Sequence, residues 1–280
     1  PGLAELLEDG LEADRITFTT DYQAAITDAE VIMIAVGTPS NPDGSANLRY
    51  VFAAAESLAP HLKQDAIVAI KSTVPPGSLE QVRAIIEKKT DVDFTMASLP
   101  EFLREGTAVD DALYPDRVAI GAETDAAAQK LQELHAAFDA PKIVVNPRSA
   151  QMGKYAANAY LAQRIVFINQ IADVCERSGA DVEEVISVIG EDERIGSHYW
   201  YPGPGYGGSC FPKDVKELSV HAKKLGLSDT IFERVNAINE ARIPQLLDTY
   251  EDLVGGWENK NVAILGLSFK PDTNDMRHAP

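Results

Sequence analysis

The first half of the chain alternates short apolar runs with segments in which apolar residues recur every three or four positions. The apolar runs predict β-strands, at Arg15–Thr20, Val31–Val36, Ala66–Lys71, Val92–Ala97, Arg117–Gly121 and Lys142–Val145. The periodic segments between them predict helices, at Asn47–Leu58, Ser78–Lys88 and Asp125–Phe138. Apolar strands that alternate with helices are typical of a parallel sheet covered on both faces. The pattern therefore predicts a Rossmann-like, doubly wound α/β domain over residues 1–147.

The second half of the chain is dominated by helical periodicity. It predicts one long helix over Ser149–Ser178, a shorter one from Asp181, and further helices over Pro212–Leu225 and Ser228–Val254. Residues 202–210 (PGPGYGGSC) are rich in glycine and proline and predict a loop. We assign residues 148–256 to a central, all-helical domain. Asn261–Leu267 (NVAILGL) predicts a strand that opens a second Rossmann-like domain, over residues 257–280.

The net charge limits the partners that we expect, and the cysteine count indicates the cellular compartment. The formal net charge is −18, whereas nucleic acids and anionic membranes select basic surfaces, so we expect neither as a partner. The sequence contains no run of about 18 apolar residues, the length that predicts a membrane-spanning helix. Its two cysteines, Cys175 and Cys210, are too few for a disulfide framework, and free thiols fit a reducing cytoplasm.

The predicted elements lack the strand–turn–helix unit with which most dinucleotide-binding sheets begin. A dinucleotide-binding sheet normally opens with a strand, a G-x-G-x-x-G turn and a helix that seats the pyrophosphate. No predicted strand in the 280 residues is followed by such a turn and helix. Either the sheet binds no dinucleotide, or the first βαβ unit precedes Pro1. The first residue is not methionine and the last follows a newly begun strand, so we expect a chain that is truncated at both ends.

One face of the long predicted helix combines polar and apolar residues. Lys154 and Asn158 lie at helical spacing from Leu161, Ile165 and Ile168. A buried lysine is costly unless it is paired, so two polar residues on an apolar stripe suggest a site. The alternative is that the stripe reaches solvent at the helix start, where the lysine amine extends to water. On this pattern alone we favour the alternative.

Cys210 combines a glycine-rich loop with a helix start. It follows a Gly-Gly-Ser sequence, and Pro212 suits the first turn of a helix. A helix N-terminus favours a thiolate, and Asp214 is one turn further on. Together they suit covalent catalysis followed by activation of water. The alternative, a core cysteine, suits such a loop poorly; Cys175, on the apolar stripe of the long helix, is the cysteine we expect in the core.

Several short motifs follow predicted strands, where the ligands of parallel sheets bind. Pro100–Gly106 (PEFLREG) places Glu101 and Glu105 one helical turn apart, and Val36–Pro39 (VGTP) and Ser72–Pro76 (STVPP) supply small residues. Taken singly, each is as well interpreted as an ordinary loop. In so acidic a chain, basic residues beside such loops are candidates for binding phosphate, with surface charge as the alternative; they are Arg194, Lys213, Lys270 and Arg277.

Taken together, these motifs resemble the UDP-glucose/GDP-mannose dehydrogenase family. The residues that carry the resemblance occur in the family's order across nearly the whole chain; they are Val36–Pro39, Ser72–Pro76, Pro100–Gly106, Lys154–Asn158 (KYAAN), Gly203–Asp214 (GPGYGGSCFPKD) and Gly266–Asp272 (GLSFKPD), with Arg277. The Cys-Phe-Pro-Lys-Asp sequence is most similar to the UDP-glucose branch. Leu99 and Gln151 depart from the asparagine and the glutamate that are usual in the family.

The resemblance implies an NAD-dependent enzyme that oxidises C6 of UDP-glucose twice, with one water, to UDP-glucuronate. Cys210 is then expected to attack the aldehyde, giving a thiohemiacetal and, after the second oxidation, a thioester. Lys154 and Asn158 are expected to stabilise negative charge on the sugar oxygen. The resemblance assigns the handling of water and protons to Asp214, Thr73 and Glu101.

The resemblance also implies binding residues. For NAD they are Val36, Gly37, Thr38, Pro39, Ser72, Thr73, Glu105 and Arg277. For the UDP-sugar they are Glu101, Phe102, Leu103, Lys154, Asn158, Arg194, Tyr206, Gly207, Gly208, Ser209 and Lys270, with Arg194 reaching the substrate of a neighbouring subunit. The long helix is expected to form the core of a homodimer or larger homo-oligomer, and no metal is expected. Because parts of both nucleotide sites are missing, we expect the chain alone to bind NAD poorly and to be inactive.

Three alternatives remain open. A sister enzyme of the family oxidises GDP-mannose or UDP-N-acetylmannosamine instead. An NAD-independent thiol acyl-transferase or hydrolase is a different class of enzyme built on Cys210, although its candidate histidine partner, His198, lies across a flexible loop. The last alternative is a dimerisation module without catalysis.

Overall fold

The structure is a computed structural model that describes residues 2–280. Its helices are α1 (Leu3–Glu12), α2 (Tyr22–Ile26), α3 (Arg49–Leu58), α4 (Ser78–Ile86), α5 (Ala108–Leu113), α6 (Asp125–Leu134), α7 (Pro147–Ser178), α8 (Val182–Gly190), α9 (Phe211–Lys224) and α10 (Ile231–Val254). Its strands are β1 (Val31–Ile34), β2 (Ala66–Ile70), β3 (Phe94–Ser98), β4 (Val118–Ala122) and β5 (Lys142–Val145). The chain forms two compact units, Pro1–Asn41 with Ala46–Lys154 and Pro42–Ser45 with Tyr155–Pro280. The predicted domain limits, after residues 147 and 256, stay predictions.

The first unit is built on one sheet, in the strand order β1–β2–β3–β4–β5. Every residue of β2 is buried, and successive side chains point to opposite faces. Val68 joins the core cluster of Val51 from α3, whereas Ile67 joins that of Leu131 from α6. Helices therefore cover both faces of the sheet, as predicted for a doubly wound α/β domain.

One strand pair departs from the parallel sheet that the sequence predicts. The pairs β1–β2, β2–β3 and β4–β5 are parallel, but β3 and β4 are antiparallel, with Ala97 opposite Ala122 and Ser98 opposite Gly121. A parallel crossover requires a connection that packs on the sheet, usually a helix. The connection here contains only α5, in which no residue is buried. The chain therefore returns beside β3 in the opposite direction.

Two predicted strands are wrong. Residues 15–20 and 261–267 are irregular, and Leu265 in the second segment is 94% exposed. The backbone N–H and C=O groups of a strand need a neighbouring strand. Within residues 2–280, no strand pairs with either segment. An apolar run supplies the side chains of a strand but not its partner.

The second unit is helical apart from its loops. It contains most of α7, which ends at Ser178 and is followed by Gly179 in the left-handed region (φ 78°). The next helix, α8, begins after Asp181, whose carboxylate accepts the Glu183 N–H. Helices α9 and α10 pack against each other. Across the described part of the chain, no helix combines the length and the apolar character needed to cross a bilayer.

Candidate active site

The strands β1 and β2 end side by side, and Ser72 joins the loops that follow them. Its hydroxyl accepts the Val36 N–H at 2.8 Å and donates to the Val36 carbonyl at 2.7 Å. Thr38 is buried in the first loop, whereas Gly37 is exposed, with open space where a Cβ atom would lie. These loops carry the predicted NAD contacts, at the edge of the sheet where parallel sheets bind ligands.

The rest of these two loops is more accessible. Thr73 is half-buried beside Ser72. Pro39 is exposed, and its carbonyl accepts the Asn47 N–H at 2.8 Å, which closes the first loop on itself. The structure therefore gathers the predicted residues of both loops at one sheet edge.

Lys154 is buried and paired. Its side chain is 6% exposed, and its Nζ atom lies 3.2 Å from Oε1 of Glu101. The same amine lies 5.4 Å from the ring centroid of Phe102. The other Glu101 oxygen accepts the Leu103 N–H at 2.6 Å. The expectation that Lys154 reaches water is wrong, because the carboxylate and the aromatic face compensate its burial.

Lys71, directly after β2, also lies near Glu101. The sequence did not single it out as a site residue. Burial lowers the pKa of its ammonium group, and the nearby Glu101 carboxylate opposes this by raising it. Glu101 thus interacts with two lysines of the first unit. The sequence signal was a lysine at the end of a wholly apolar strand.

The Pro100–Gly106 loop is not helical, so the predicted one-turn spacing of Glu101 and Glu105 is wrong. A helix needs its backbone N–H groups for main-chain bonds, but side chains occupy them here. Glu101 accepts the Leu103 N–H, and a carboxylate of α5 accepts that of Arg104. Leu103 is exposed, and Glu105 is half-buried in the turn that follows.

Two contacts hold this loop in place. Asp111 of α5 accepts the Arg104 N–H at 2.6 Å and also binds the Arg104 guanidinium group. Hydrogen bonds from Arg104 are the main reason that the pKa of the Asp111 carboxyl is lowered. The Arg117 guanidinium carbon lies 3.7 Å from the ring centroid of Phe102. We refer to these two contacts as the loop clamp.

In the second unit, Cys210 lies where the sequence predicts, at the N-cap of α9 with Pro212 in the first turn. The residue is exposed, and its Sγ atom lies 3.6 Å from the Ser209 hydroxyl. Its carbonyl accepts the Asp214 N–H at 2.9 Å. The thiol is therefore accessible at a helix N-terminus, where unpaired N–H groups favour negative charge. Cys175 is buried, as predicted.

Asp214 is held in the interior, one turn into α9. It accepts a hydrogen bond of 2.6 Å from the Asn158 amide and forms an ion pair with the Lys213 ammonium group. Asn158 is itself buried. Asn158, from the predicted polar stripe of α7, thus contacts the first turn of α9 through one buried hydrogen bond to Asp214.

The glycine-rich loop before Cys210 needs its glycines for close packing. A Cβ atom on Gly207 would lie 2.2 Å from the His278 carbonyl oxygen, and one on Gly208 would lie 2.7 Å from the Phe269 ring. The Gly208 N–H donates to the Arg277 carbonyl at 3.0 Å. Only glycine fits at such distances. The structure thus brings the loop and residues 269–278 together, as sites for one ligand require.

Tyr206 anchors the same loop. Its N–H and C=O groups form hydrogen bonds of 2.8 and 3.0 Å with the side-chain amide of Asn239 in α10. The ring is buried against Phe211, and burial, with a smaller effect of Glu240, raises the pKa of its phenol. Tyr206 therefore anchors the loop to α10.

The predicted phosphate-binding cations are mostly paired. Arg194 is exposed and binds Asp192 at 2.6 Å, and Arg277 binds Asp275 at 2.8 Å. Lys270 lies over the Phe269 ring, with its Nζ atom 5.5 Å from the centroid. A neighbouring acid holds an arginine in one orientation, and it also reduces the charge that is left for an anion.

Residues 1–139 match the family model described as the UDP-glucose/GDP-mannose dehydrogenase family, NAD binding domain, and residues 148–241 match the model of the same family's central domain. The chain belongs to this family. The resemblance that the motifs carry is therefore confirmed, and so is the α/β class. The roles of individual site residues stay predictions.

Relatives span more sequence than this chain. It is 45% identical over 289 residues to a UDP-glucose 6-dehydrogenase of Pseudomonas aeruginosa, which matches 100% of this chain and 64% of that protein. It is also 45% identical over 282 residues to a UDP-glucose 6-dehydrogenase of Bacillus subtilis, covering 100% of this chain and 61% of that protein. The chain thus spans less than two thirds of the length of these relatives.

Solved structures of this family superpose on the whole chain. A UDP-glucose dehydrogenase from Pyrobaculum islandicum has a TM-score of 0.96 and 42% identity, with 100% of this chain and 66% of that chain covered. A GDP-mannose dehydrogenase from Pseudomonas aeruginosa has a TM-score of 0.67 and 32% identity, with 100% and 65% covered. Both support one common fold for members that are named for different sugars.

Proposed function

We propose that this chain is part of an NAD-dependent dehydrogenase that oxidises UDP-glucose twice at C6 and releases UDP-glucuronate. The observation that carries the proposal is the exposed Cys210 thiol at the start of α9, one turn from the buried Asp214–Asn158 pair. The name of relatives at 45% identity favours UDP-glucose as the substrate over GDP-mannose or UDP-N-acetylmannosamine.

The loops after β1 and β2 suit a dinucleotide. Gly37 is exposed with open space at its Cβ position, and small residues surround it. Small residues at strand ends allow the backbone to approach a cofactor closely. NAD, when bound, accepts the hydride in both oxidations. In this proposal the residues that hold it are Val36, Gly37, Thr38, Pro39, Ser72, Thr73, Glu105 and Arg277.

Lys154 supplies positive charge for the first oxidation. As the hydride leaves C6 and the hydroxyl loses its proton, negative charge develops on the sugar oxygen. A buried ammonium group with fixed geometry stabilises such charge strongly, because no solvent must reorganise. Glu101 and Phe102 fix the amine of Lys154, and Asn158 follows one turn later on α7.

Cys210 makes the second oxidation possible. Its thiolate attacks the aldehyde carbon, so that an S–C bond forms and the carbonyl oxygen takes up a proton. The thiohemiacetal then loses hydride and that proton, which leaves a thioester. Water adds to the thioester and the S–C bond breaks, which releases the carboxylate and restores the thiol. Asp214, Thr73 and Glu101 orient the water and accept its protons.

The UDP-sugar is assigned to the loop around Cys210 and to its neighbours. Gly207, Gly208 and Ser209 directly precede the thiol in sequence, and Tyr206 holds that loop on α10. Phe102, Leu103, Lys270 and the exposed Arg194 complete the proposed set. The close packing of residues 269–278 on this loop supports the assignment, because both segments carry proposed contacts to the ligand.

The Cys210→Ser variant of the complete natural protein that contains this sequence tests the covalent step. It should bind UDP-glucose within about twofold of the wild type and release no uronate, because an ordinary serine hydroxyl is a far weaker nucleophile than a thiolate. Cys175→Ala, which removes the buried cysteine of α7, is the control and should retain turnover. Normal uronate release by Cys210→Ser would contradict the covalent mechanism.

Substrate comparison tests the rest of the proposal. NAD reduction should be faster with UDP-glucose than with GDP-mannose or UDP-N-acetylmannosamine at equal concentration. A preference for either of the other sugars would assign the chain to a sister activity. Hydrolysis of a thioester or ester substrate without NAD, and with no oxidation of any sugar, would favour the thiol hydrolase instead.

We also propose a homo-oligomer assembled through the helical unit. Tyr160, Phe167 and Val174 recur every seventh residue of α7 and are all exposed, and no residue of α8 is buried. An exposed apolar stripe of this kind is typical of a surface that a second copy covers. We assign the protein to the cytoplasm, where its two free thiols stay reduced.

A further inference from the structure

A buried acidic pair lies directly behind Cys210 on α9. Asp214 is 1% exposed and Glu217, three residues later on the same helix, is 2% exposed. Two carboxylates this close in a protein interior repel each other unless donors and cations surround them. Asp214 has two such partners, the Asn158 amide and the Lys213 ammonium group. Hydrogen-bond donors are therefore expected around both carboxylates.

Tyr155 lies on α7, the helix that also carries Asn158. It shares a helix face with Asn158, three residues later, just as Asp214 shares one with Glu217. The Asn158–Asp214 hydrogen bond of 2.6 Å joins the two faces. Burial raises the pKa of the Tyr155 phenol, and the charges of Asp214 and Glu217 raise it further. The phenol therefore keeps its proton and is a donor.

The Tyr155 hydroxyl is buried without a direct partner. The residue is 1% exposed, yet among residues 2–280 no acceptor lies within hydrogen-bond distance of its oxygen. A buried hydroxyl normally bonds to protein or to an internal water, which needs between two and four polar neighbours. One donor and two carboxylates match a water molecule, which accepts from the phenol and donates one hydrogen to each acid.

We propose that one internal water molecule is bound between Tyr155, Asp214 and Glu217, and that Tyr155 acts through it as a positioning residue for Asp214. The water lies between the two carboxylates. It links the face of α9 that carries them to the face of α7 that carries Tyr155. It holds the Asp214 side chain in the orientation in which Asn158 also binds it. The effect on turnover rests on the function proposed above, whereas the water site itself does not.

Crystal structures of the wild-type protein and of Tyr155→Phe test the site. Phenylalanine retains the ring and removes only the hydroxyl, so packing should persist. We expect an ordered water within about 3 Å of the phenol and of both carboxylates in the wild type. In Tyr155→Phe the water should be lost or displaced, and the Asp214 carboxylate should turn. A wild-type site without water, or a water unchanged by the substitution, would overturn the proposal.

Steady-state kinetics test the positioning role. Tyr155→Phe should lower kcat for uronate formation about fivefold, the rate equivalent of one ordinary hydrogen bond, with KM for UDP-glucose unchanged within twofold. Tyr250→Phe removes the same atom from an exposed site on α10 and should leave both constants unchanged. An unchanged kcat in Tyr155→Phe, with the water lost, sinks the positioning role. If the wild type oxidises no nucleotide sugar, the proposed function fails and the crystallographic result still decides the water site.

Discussion

Lys154 and Lys71 show how two cationic side chains are arranged around a single acid. Lys154 is almost fully buried, and its Nζ atom lies 3.2 Å from Glu101, which offsets the cost of removing the amine from water. Lys71 interacts with the same acid, but burial has the larger effect on its pKa and lowers it. Removal of one partner of a buried ion pair usually costs more than the pair itself contributes. The function of Lys154 therefore depends on Glu101 as much as on its own charge.

Lys71 gives a prediction for stability against pH. Its folded-state pKa is lowered, so the unfolded chain binds more protons between that pKa and about 10.4. The cost of burying the charged lysine is complete below the folded-state pKa and disappears as the pH rises through this window. Lys71→Met should thus be more stable than the wild type at pH 7, by an amount that shrinks as the pH approaches 10. Denaturant unfolding at several pH values measures the difference, and an advantage that does not change with pH would contradict this account.

Site residues were predictable where their neighbours in the chain define them. Cys210 follows glycines and precedes a proline, which already describes an accessible helix start, and the position of Cys175 on an apolar stripe already indicates the core. The burial of Lys154 was not predictable, because its compensation comes from Glu101, more than 50 residues away in sequence. Lys71 and Tyr155 were missed for the same reason, since groups on other elements give them their importance.

At the scale of elements, the Pro100–Gly106 loop depends on α5. The loop clamp binds Arg104 through Asp111 and Phe102 through Arg117. Both contacts act on residues that closely follow Glu101 in sequence. A short helix with no buried residue has little packing to contribute, so we infer that its main role is to supply Asp111.

Asp111→Asn should loosen this loop. The substitution keeps the shape of the side chain but removes the charge that binds the Arg104 guanidinium, so kcat should fall by about tenfold as Glu101 loses its fixed position. Asp110→Asn, its exposed neighbour on α5, is the matched control and should change little. Wild-type kcat in Asp111→Asn would show that the loop needs no clamp.

The same substitution has a pH signature. The folded-state pKa of Asp111 is lowered, so its contribution to stability is present above about pH 4 and is lost as the pH falls through the folded-state value. The difference in unfolding free energy between wild type and Asp111→Asn should therefore be larger at pH 7 than at pH 3. Equal differences at both pH values would argue against the ion pair.

Gly121 couples β4 to the start of α7. A Cβ atom there would lie 2.7 Å from both the Ala150 Cβ atom and the Pro147 backbone. Gly121→Ala should lower the unfolding free energy by about 1–3 kcal/mol, because the helix must shift. Gly153→Ala is the control: apart from its chain neighbours and the backbone of its own helix, nothing lies within 4 Å of its Cβ position, and alanine in a helix should raise stability by up to about 1 kcal/mol. Equal effects of the two substitutions in thermal or denaturant unfolding would contradict the proposed packing.

Helices and strands were predictable where the spacing of apolar residues agrees with the sequence signals for the start or end of an element. The strand β5 matches its predicted limits, and α7 begins two residues before its predicted start. The antiparallel β3–β4 pair was not predictable, because direction depends on how the connecting residues pack. Residues 15–20 and 261–267 failed as strands because pairing is a property of two segments, and sequence pattern describes only one.

At the scale of the whole molecule, the exposed stripe on α7 predicts the oligomeric state. Val174→Glu places a charge in the proposed interface and should convert the oligomer to a monomer, because an unpaired charge is costly to bury. Leu134→Glu alters an exposed leucine at the end of α6 and should leave the assembly intact. Light scattering after size-exclusion chromatography measures the mass. A wild-type monomer, or an unchanged mass for Val174→Glu, would place the interface elsewhere or remove it.

The central claim is that one protein carries out two oxidations on one carbon, with Cys210 holding the intermediate between them. The most direct test supplies the complete protein with limiting UDP-glucose and excess NAD, and counts the NADH formed for each sugar consumed. The account predicts two NADH per sugar, with a UDP-linked carboxylate as the product and no free aldehyde. One NADH per sugar with an aldehyde product, or no NADH at all, would contradict it.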